Sequence, residues 1–261
     1  MGQKIFSEQD RQDAFNYILS CTRACDKIVS LVQVGSGAIG YHDARSDLDF
    51  VIALDQDDSM PEVMEYMHRK LSEKYDLVYF EQAENSHMQV YMLSDLLEID
   101  LGYGGYGHAA ARKPAFKVLY DRTGVVEEKM VQSRTWMDDA IYGDKQKKDL
   151  ALACDTVWAR LMHAAVAIRR GQEFRAIGEL ENVRRQYIDL LCDRYRLESN
   201  LNREVDRLPA EEKAAIRSTF VTGELWTSLL NLTKLIYREL EGAAVPITQE
   251  MLEAYYQGLK D

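Results

Sequence analysis

Apolar and polar positions alternate differently in the two halves of the chain. The first half holds six apolar runs of strand length, each bounded by polar or glycine-containing turns: Ile28–Val34, Leu48–Leu54, Leu77–Phe80, Met88–Leu93, Leu97–Leu101 and Phe116–Tyr120. An amphipathic segment follows a capping-box pattern at Ser7 and Asp10, and apolar residues recur at helical spacing over Pro61–Lys74. The predicted order is helix, strand, strand, helix and then several strands, which indicates an α/β (α+β) domain with a mixed sheet covered by helices.

The second half carries helical patterns almost throughout. They predict helices over Leu150–Ile168, Ile177–Tyr195, Ala210–Gly223, Leu225–Leu240 and Thr248–Leu259. Near Tyr142 and Gly143 the sequence changes from strand-length apolar runs to helical spacing. We therefore predict two domains, residues 1–143 and 144–261. The second is expected to be an all-α helical bundle.

Composition is typical of a water-soluble globular protein with a sizeable core. Of the 261 residues, 46% are hydrophobic and 29% are charged. No apolar run approaches the roughly 20 residues that span a bilayer, and the first residues lack a signal-peptide core, so we expect a cytoplasmic protein without membrane contact. The net charge of −11 argues against general nucleic-acid binding. It could attract a cationic small molecule or serve solubility alone.

Residues 34–52 combine a glycine–serine turn with two carboxylates. Asp47 and Asp49 are separated by one apolar residue on a predicted strand, so their side chains point the same way. Two such carboxylates repel each other. A Mg²⁺ ion bound between them would offset this repulsion, and carboxylate oxygens are ligands that Mg²⁺ prefers. Gly35 and Ser36 can present backbone N–H groups and a hydroxyl to phosphate oxygens. The pattern predicts chemistry on a nucleoside triphosphate.

The spacing of this motif resembles the signature of the DNA polymerase β-like nucleotidyltransferase superfamily. An apolar residue, Gly35-Ser36, about ten residues and then Asp47-Leu48-Asp49 with apolar neighbours carry the resemblance. It implies a polymerase β-like catalytic domain, ATP and Mg²⁺ as cofactors, and nucleotide binding by Gly35, Ser36, Ser46, Asp47 and Asp49. Neither a Rossmann nor a Walker phosphate loop is present.

The superfamily resemblance also implies a third acidic residue on an adjacent strand. Asp100 is the preferred candidate, because a glycine-rich segment follows it and is expected to leave it open to substrate. Glu98 on the same strand is the alternative, whereas Asp95 suits a turn. Asp47, Asp49 and Asp100 are therefore the expected catalytic and metal-binding residues.

In the implied reaction, a substrate hydroxyl attacks the α-phosphorus of ATP and pyrophosphate leaves. Asp47 and Asp49 would hold Mg²⁺, Asp100 would complete a second metal site or accept the hydroxyl proton, and Ser36 would bind a phosphate oxygen. Further candidates remain open beside surface or structural interpretations: Arg45 or Lys117 for phosphate, Tyr103 and Tyr106 for the acceptor cleft, and Glu179 or Glu181 as a base.

The layout of the whole chain resembles the small bacterial antibiotic nucleotidyltransferases, among them the lincosamide and streptomycin-type aminoglycoside enzymes. This resemblance implies AMP transfer to a small hydroxylated acceptor, such as an antibiotic, bound between the domains, and it makes a homodimer an expectation. The alternatives are a toxin or regulator that nucleotidylates protein or tRNA, and a non-catalytic nucleotide-binding interaction module. Intact Asp47 and Asp49 favour catalysis over the last of these.

Overall fold

The chain forms two compact units, Met1–Asp138 and Asp139–Asp261. The computed structural model describes residues 4–84, 86–112, 115–136 and 142–260. The predicted domain boundary between residues 143 and 144 lies just after this division, in the first turn of a helix that begins at Tyr142.

In the part of the chain that the structure describes, the first unit contains six strands and three α-helices. The strands are β1 (Ile28–Gln33), β2 (Leu48–Leu54), β3 (Leu77–Glu81), β4 (Met88–Leu93), β5 (Glu98–Gly105) and β6 (Lys117–Asp121). The helices are α1 (Glu8–Ala24), α2 (Met60–Lys74) and α3 (Val125–Trp136). The predicted succession of helix, two strands, helix and further strands is confirmed, as is the capping box formed by Ser7 and Asp10.

The strands form one mixed sheet in the order β3-β4-β5-β2-β1-β6. Among the described strands, β2 and β5 are parallel neighbours and the other pairs are antiparallel. Helices α1 and α2 cover one face, where apolar side chains that alternate along the strands are buried together with those of the helices. That core includes Ile18, Leu31, Leu48, Phe50, Ile52, Met67, Leu71, Ile99 and Leu101.

The opposite face of the sheet is covered only in part. Helix α3, which the sequence pattern did not predict, packs there with Val126 and Met130 against a small cluster on β1, β2 and β6. From β2 toward β3 the same face stays partly open, since Val51 of β2, Met88 of β4 and Tyr79 of β3 are 37%, 43% and 51% exposed. The sheet therefore has one closed face and one partly open face.

The second unit is helical, as the sequence predicts. Its helices are α4 (Tyr142–Arg169), α5 (Glu173–Tyr195), α6 (Ala210–Ser218), α7 (Leu225–Glu239) and α8 (Gln249–Lys260). Small and branched residues of α4, among them Val157, Leu161 and Ala164, pack with α5 and α7 in one core. The whole chain is thus a mixed α/β unit followed by a helical bundle.

The segment Gly143–Arg169 of α4 is long and apolar enough to cross a membrane by length and composition alone. No such segment was predicted from the sequence. Charged residues near its start interrupt the apolar pattern, although the rest of the segment is apolar and rich in alanine. A core helix of a water-soluble bundle has the same composition, and the buried residues of α4 lie in such a core.

A buried arginine joins α5 to the segment before α7. Arg184 is 1% exposed and donates to Thr219 twice, to Oγ1 at 2.8 Å and to the carbonyl oxygen at 2.6 Å. Its guanidinium lies 4.3 Å from the centre of the Phe220 ring. The backbone of Thr219 therefore depends on this side chain for a hydrogen bond.

We expect Arg184→Ala to lower the free energy of unfolding of the helical unit by about 2–4 kcal/mol, because it leaves a buried carbonyl without its donor. Urea unfolding followed by the fluorescence of Trp158 and Trp226, in a Trp136→Phe background, measures this unit alone. The control is Arg185→Ala, one residue along on the exposed side of α5. Equal stability of the two variants would contradict the role of Arg184.

Candidate active site

The predicted carboxylates meet where β2 and β5 run side by side. In the parallel register Asp49 is the direct partner of Asp100, with Leu48 beside Ile99 and Phe50 beside Leu101. Adjacent strands lie about 4.8 Å apart. Since those four apolar neighbours point into the core beneath α1 and α2, alternation turns both aspartates toward the other face. Both are half-buried there, and Oδ1 of Asp100 is buried.

Asp47 and Glu98 come immediately before the paired residues Leu48 and Ile99, so they extend the acidic group by one step along each strand. Both are half-buried. Among the described residues, no hydrogen bond or ion pair engages the carboxylate of either one. The structure therefore places four acidic residues at one corner of the sheet and does not separate Glu98 from Asp100 by distance.

The glycine–serine bend lies directly against this acidic corner. It is a short 3-10 turn, Gly35–Ile39, that begins beside β2, where the Val34 N–H donates to the Asp49 carbonyl at 3.0 Å. Gly35 has a φ of +63°, and a Cβ atom at this position would lie 2.0 Å from Oδ2 of Asp49. The carboxylate thus occupies the space that a side chain would need, so glycine is required here.

The two serines of the prediction differ in their surroundings. Ser36 Oγ is buried and has no hydrogen-bond partner within the described part of the chain. A buried hydroxyl without a hydrogen bond costs free energy, and a hydroxyl can both donate and accept. This oxygen is therefore suited to hydrogen-bond a ligand. Ser46 Oγ instead accepts from the Asp43 N–H at 3.4 Å, and this contact belongs to the loop itself.

Tyr41 connects the bend with the carboxylates electrostatically. Burial raises the pKa of its hydroxyl, and the nearby charges of Asp47 and Asp49 raise it further, whereas Gln33 and Arg11 oppose the shift. The phenol is therefore held neutral beside the acidic corner.

The donor set has the chemistry that Mg²⁺ prefers, since it consists of carboxylate oxygens and a hydroxyl. Within residues 4–84, 86–112, 115–136 and 142–260, however, no three side chains of His, Cys, Asp or Glu form a ready-made metal-binding cluster. Neighbouring backbones bring Asp47, Asp49 and Asp100 to one corner, but their oxygens do not converge as the sequence analysis expected. The orphaned Ser36 hydroxyl and the close approach of Gly35 to Asp49 nevertheless fit a phosphate and a cation at this corner.

Of the two candidate phosphate contacts, one is engaged elsewhere. The Arg45 guanidinium donates to the Phe6 carbonyl and lies 5.5 Å from the centre of the Phe6 ring, so it anchors the N-terminal segment. Lys117 begins β6 opposite Gln33 and is exposed, at the same end of the sheet as the acidic corner.

The tyrosines and glycines after Asp100 differ from the expectation. Gly102–Gly105 continue strand β5 instead of forming an open segment, because they pair with β2 and partly with β4. Tyr103 points into the core and donates to Gln89 Oε1 at 2.5 Å, so it does not line a cleft. Tyr106 packs against the cluster beneath α3.

The two helical glutamates proposed as bases are bound to arginines. Glu179 accepts from Arg160 at 3.0 Å, and Glu181 pairs with the buried Arg184. Because both carboxylates are engaged in ion pairs, neither is a good candidate base, and Asp100 and Glu98 remain the candidates.

Sequence reasoning missed three side chains that hold the bend: Arg11, Gln33 and Tyr41. Gln33 donates to the Tyr41 hydroxyl at 2.9 Å, and Arg11 stacks on the Tyr41 ring at 3.9 Å. The proximity of Gln33 and Tyr41 to the Gly35-Ser36 motif was the available signal. Nothing local in the sequence of α1 indicates that Arg11 is buried.

Comparison with solved structures finds distant likenesses, of which three are described. No protein-family model and no curated protein matches the sequence. An aminoglycoside 6-adenyltransferase from Bacillus subtilis aligns over 98% of this chain and 99% of its own, with 15% identity and a TM-score of 0.42. The CdnE cyclic dinucleotide synthase of Elizabethkingia meningoseptica, solved with GTP and Apcpp, aligns over 98% and 93%, with 12% identity and a TM-score of 0.31. A cytoplasmic RNA terminal U-transferase aligns over 88% and 66%, with 12% identity and a TM-score of 0.29.

We expect Gly35→Ala to abolish binding of MgATP, because its methyl group would collide with the Asp49 carboxylate. Gly40→Ala is the matched control: Gly40 lies in the same bend at a φ of +98°, but no atom lies within 4 Å of its added Cβ. Both variants carry backbone strain of roughly 1–2 kcal/mol. Titration calorimetry with MgATP separates them, and equal affinities would show that the contact with Asp49 is unimportant.

Proposed function

We propose that this protein is a magnesium-dependent nucleotidyltransferase that moves AMP from ATP to a hydroxyl group of a small molecule. The observation that supports it most is the parallel pairing of Asp49 with Asp100 on the partly open face, directly beside the Gly35-Ser36 bend. Phosphoryl and nucleotidyl transfer depend on positioning and charge neutralisation of phosphates, which cation-binding carboxylates beside a turn with a free hydroxyl can supply.

Asp47 and Asp49 would hold Mg²⁺ through their carboxylate oxygens. When bound, Mg²⁺ supplies charge neutralisation for the triphosphate and for the departing pyrophosphate. Asp49 is fixed in place by the backbone of the bend at Gly35, so its carboxylate needs little reorganisation when the nucleotide binds.

The bend would bind the phosphates. The Ser36 hydroxyl can rotate to a phosphate oxygen, which would satisfy an atom that otherwise has no partner among the described residues. Because Val34 is hydrogen-bonded to the Asp49 backbone, the bend and the metal-binding carboxylates keep a fixed spacing. Ser46 and Lys117 would serve as secondary contacts, the latter as an exposed cation at the same end of the sheet.

Asp100 would orient the acceptor hydroxyl and take its proton. The acceptor oxygen forms a bond to the α-phosphorus of ATP, the bond to the β-phosphate bridging oxygen breaks, and pyrophosphate leaves with that electron pair. The proton of the hydroxyl passes to Asp100 and then to solvent. Glu98, one residue pair away, is the alternative proton acceptor.

The partly open face from β2 toward β3 supports a small acceptor. Met88 and Val51 are exposed apolar side chains that both lie near Gly102, two residues along β5 from Asp100. The net charge of −11 opposes binding of a polyanion such as tRNA and favours a neutral or cationic molecule, an antibiotic being one candidate. In this proposal the helical bundle, residues 144–261, has the acceptor-binding role, and the enzyme works in the cytoplasm.

We expect Asp49→Asn and Asp100→Asn to lower the rate of AMP transfer by at least about 100-fold, because each removes a charge that the transition state requires. Mass spectrometry of a pooled panel of hydroxylated compounds, incubated with ATP and Mg²⁺, detects the gain of an AMP mass. Glu98→Gln is the matched comparison and should retain most activity.

Retained activity in Asp49→Asn would overturn the metal assignment, and loss in Glu98→Gln but not in Asp100→Asn would exchange the roles of the two residues. Labelling of protein without labelling of any small molecule would favour the protein-modifying alternative.

Removal of divalent metal should stop the reaction completely. With EDTA present, pyrophosphate release in the presence of ATP and the acceptor should fall to background, because the triphosphate charge is no longer neutralised. Added Mg²⁺ in excess of the chelator should restore the rate. Continued release under EDTA would exclude a magnesium-dependent mechanism for this site.

A further inference from the structure

We propose that Arg11 and Tyr41 are positioning residues, which together hold the Ser36 bend and Asp47 at the spacing that a metal-bound nucleotide requires. This inference rests on the proposed function. It concerns the loop of residues 35–46, which joins β1 to β2 and carries the bend at one end and leads into Asp47 at the other.

Arg11 fixes the end of the loop that leads into Asp47. Although it lies on the amphipathic helix α1, it is only 5% exposed. Its guanidinium donates to the carbonyl oxygens of Asp43 at 3.0 Å and Ser46 at 3.1 Å. Ser46 is bonded directly to Asp47, so the arginine sets where the chain enters the acidic corner.

Tyr41 fixes the end of the loop that carries Ser36. Its N–H donates to the Ser36 carbonyl at 2.9 Å, and its hydroxyl accepts from Gln33 at 2.9 Å. The residue has a φ of +64°, a left-handed conformation that is costly for a bulky side chain and persists only where the surroundings enforce it. Here they do so through Gln33 on one side and Arg11 on the other.

Gly37 shows how closely these side chains approach the bend. A Cβ at this position would lie 2.1 Å from Gln33 Nε2 and 3.1 Å from Tyr41 Cε1. The turn that follows Ser36 therefore packs directly on the amide and the ring, so a shift of either side chain would move the bend.

Arg11 joins the two ends of the loop. Its guanidinium lies 3.9 Å from the centre of the Tyr41 ring while its N–H groups bind the carbonyls before Asp47. One side chain thus couples the phosphate-binding bend to the metal-binding strand, and the cation is held by a ring and two carbonyls in a buried place.

A matched arginine lies at the other end of the same sheet. Arg122 also donates to backbone carbonyls, those of Arg23, Cys25 and Asp26, and its guanidinium lies 5.9 Å from the centre of the Tyr120 ring. It follows β6 and pairs through its backbone with Val29 near the start of β1, away from the bend. Arg122→Ala therefore removes the same kinds of contact without touching the proposed site.

The test compares MgATP affinity by titration calorimetry with thermal stability for the full-length protein and its variants. We expect Arg11→Ala to weaken MgATP binding about 10- to 100-fold, as the loss of charge-assisted hydrogen bonds implies. Arg11→Lys should recover part of that loss, since a lysine keeps the charge but not the two-carbonyl geometry. Arg122→Ala should lower the melting temperature and leave MgATP affinity unchanged.

Amide hydrogen exchange tests whether Arg11 acts on this loop in particular rather than on the stability of the whole unit. Exchange in residues 35–46 should accelerate in Arg11→Ala and stay unchanged in Arg122→Ala. If Arg11→Ala does not fold, Tyr41→Phe is compared with Tyr17→Phe, which loses a hydrogen bond from α1 to α2 instead. MgATP affinity equal to wild type in the folded Arg11 and Tyr41 variants would overturn this inference alone, whereas failure of the wild type to bind MgATP would overturn the proposed function.

Discussion

The parallel pairing of β2 with β5 is the constraint on which the rest of the site depends. Among the strand pairs that the structure describes, it alone is parallel, and its register makes Asp49 the partner of Asp100. The apolar residues on either side of each aspartate are buried beneath α1 and α2. A slip of either strand by one residue would turn the aspartate of that strand into the core, so burial of the apolar neighbours keeps both carboxylates on the opposite face.

The bend depends on a second constraint, which is close approach rather than pairing. Gly35 contacts the Asp49 carboxylate and Gly37 contacts the side chains of Gln33 and Tyr41, so neither position has room for a Cβ. The loop between β1 and β2 is consequently held between the acidic corner on one side and Arg11 of α1 and Gln33 of β1 on the other. Under the proposed function, such preorganisation would place the phosphate-binding groups before a ligand arrives.

Much of the fold and part of the site could be predicted from the sequence, because the apolar periodicity of a single strand or helix is a local property. The strands, α1, α2 and the shared face of Asp47 and Asp49 follow from it. Long-range pairing does not: Gly102–Gly105 pair with two neighbouring strands and are therefore not an open turn. Helix α3 buries Val126 and Met130 but few other described side chains, so its periodicity is weak. The burial of Arg11 depends on a loop far along the chain, which no local pattern reveals.

A crystal structure of the protein with Mg²⁺ and a non-hydrolysable ATP analogue tests the central claim most directly. The account predicts a cation about 2.1 Å from oxygens of Asp47 and Asp49, Asp100 beside the α-phosphate, and the Ser36 hydroxyl on a phosphate oxygen. A nucleotide bound away from the Gly35-Ser36 bend, or a cation that avoids both Asp47 and Asp49, would contradict it.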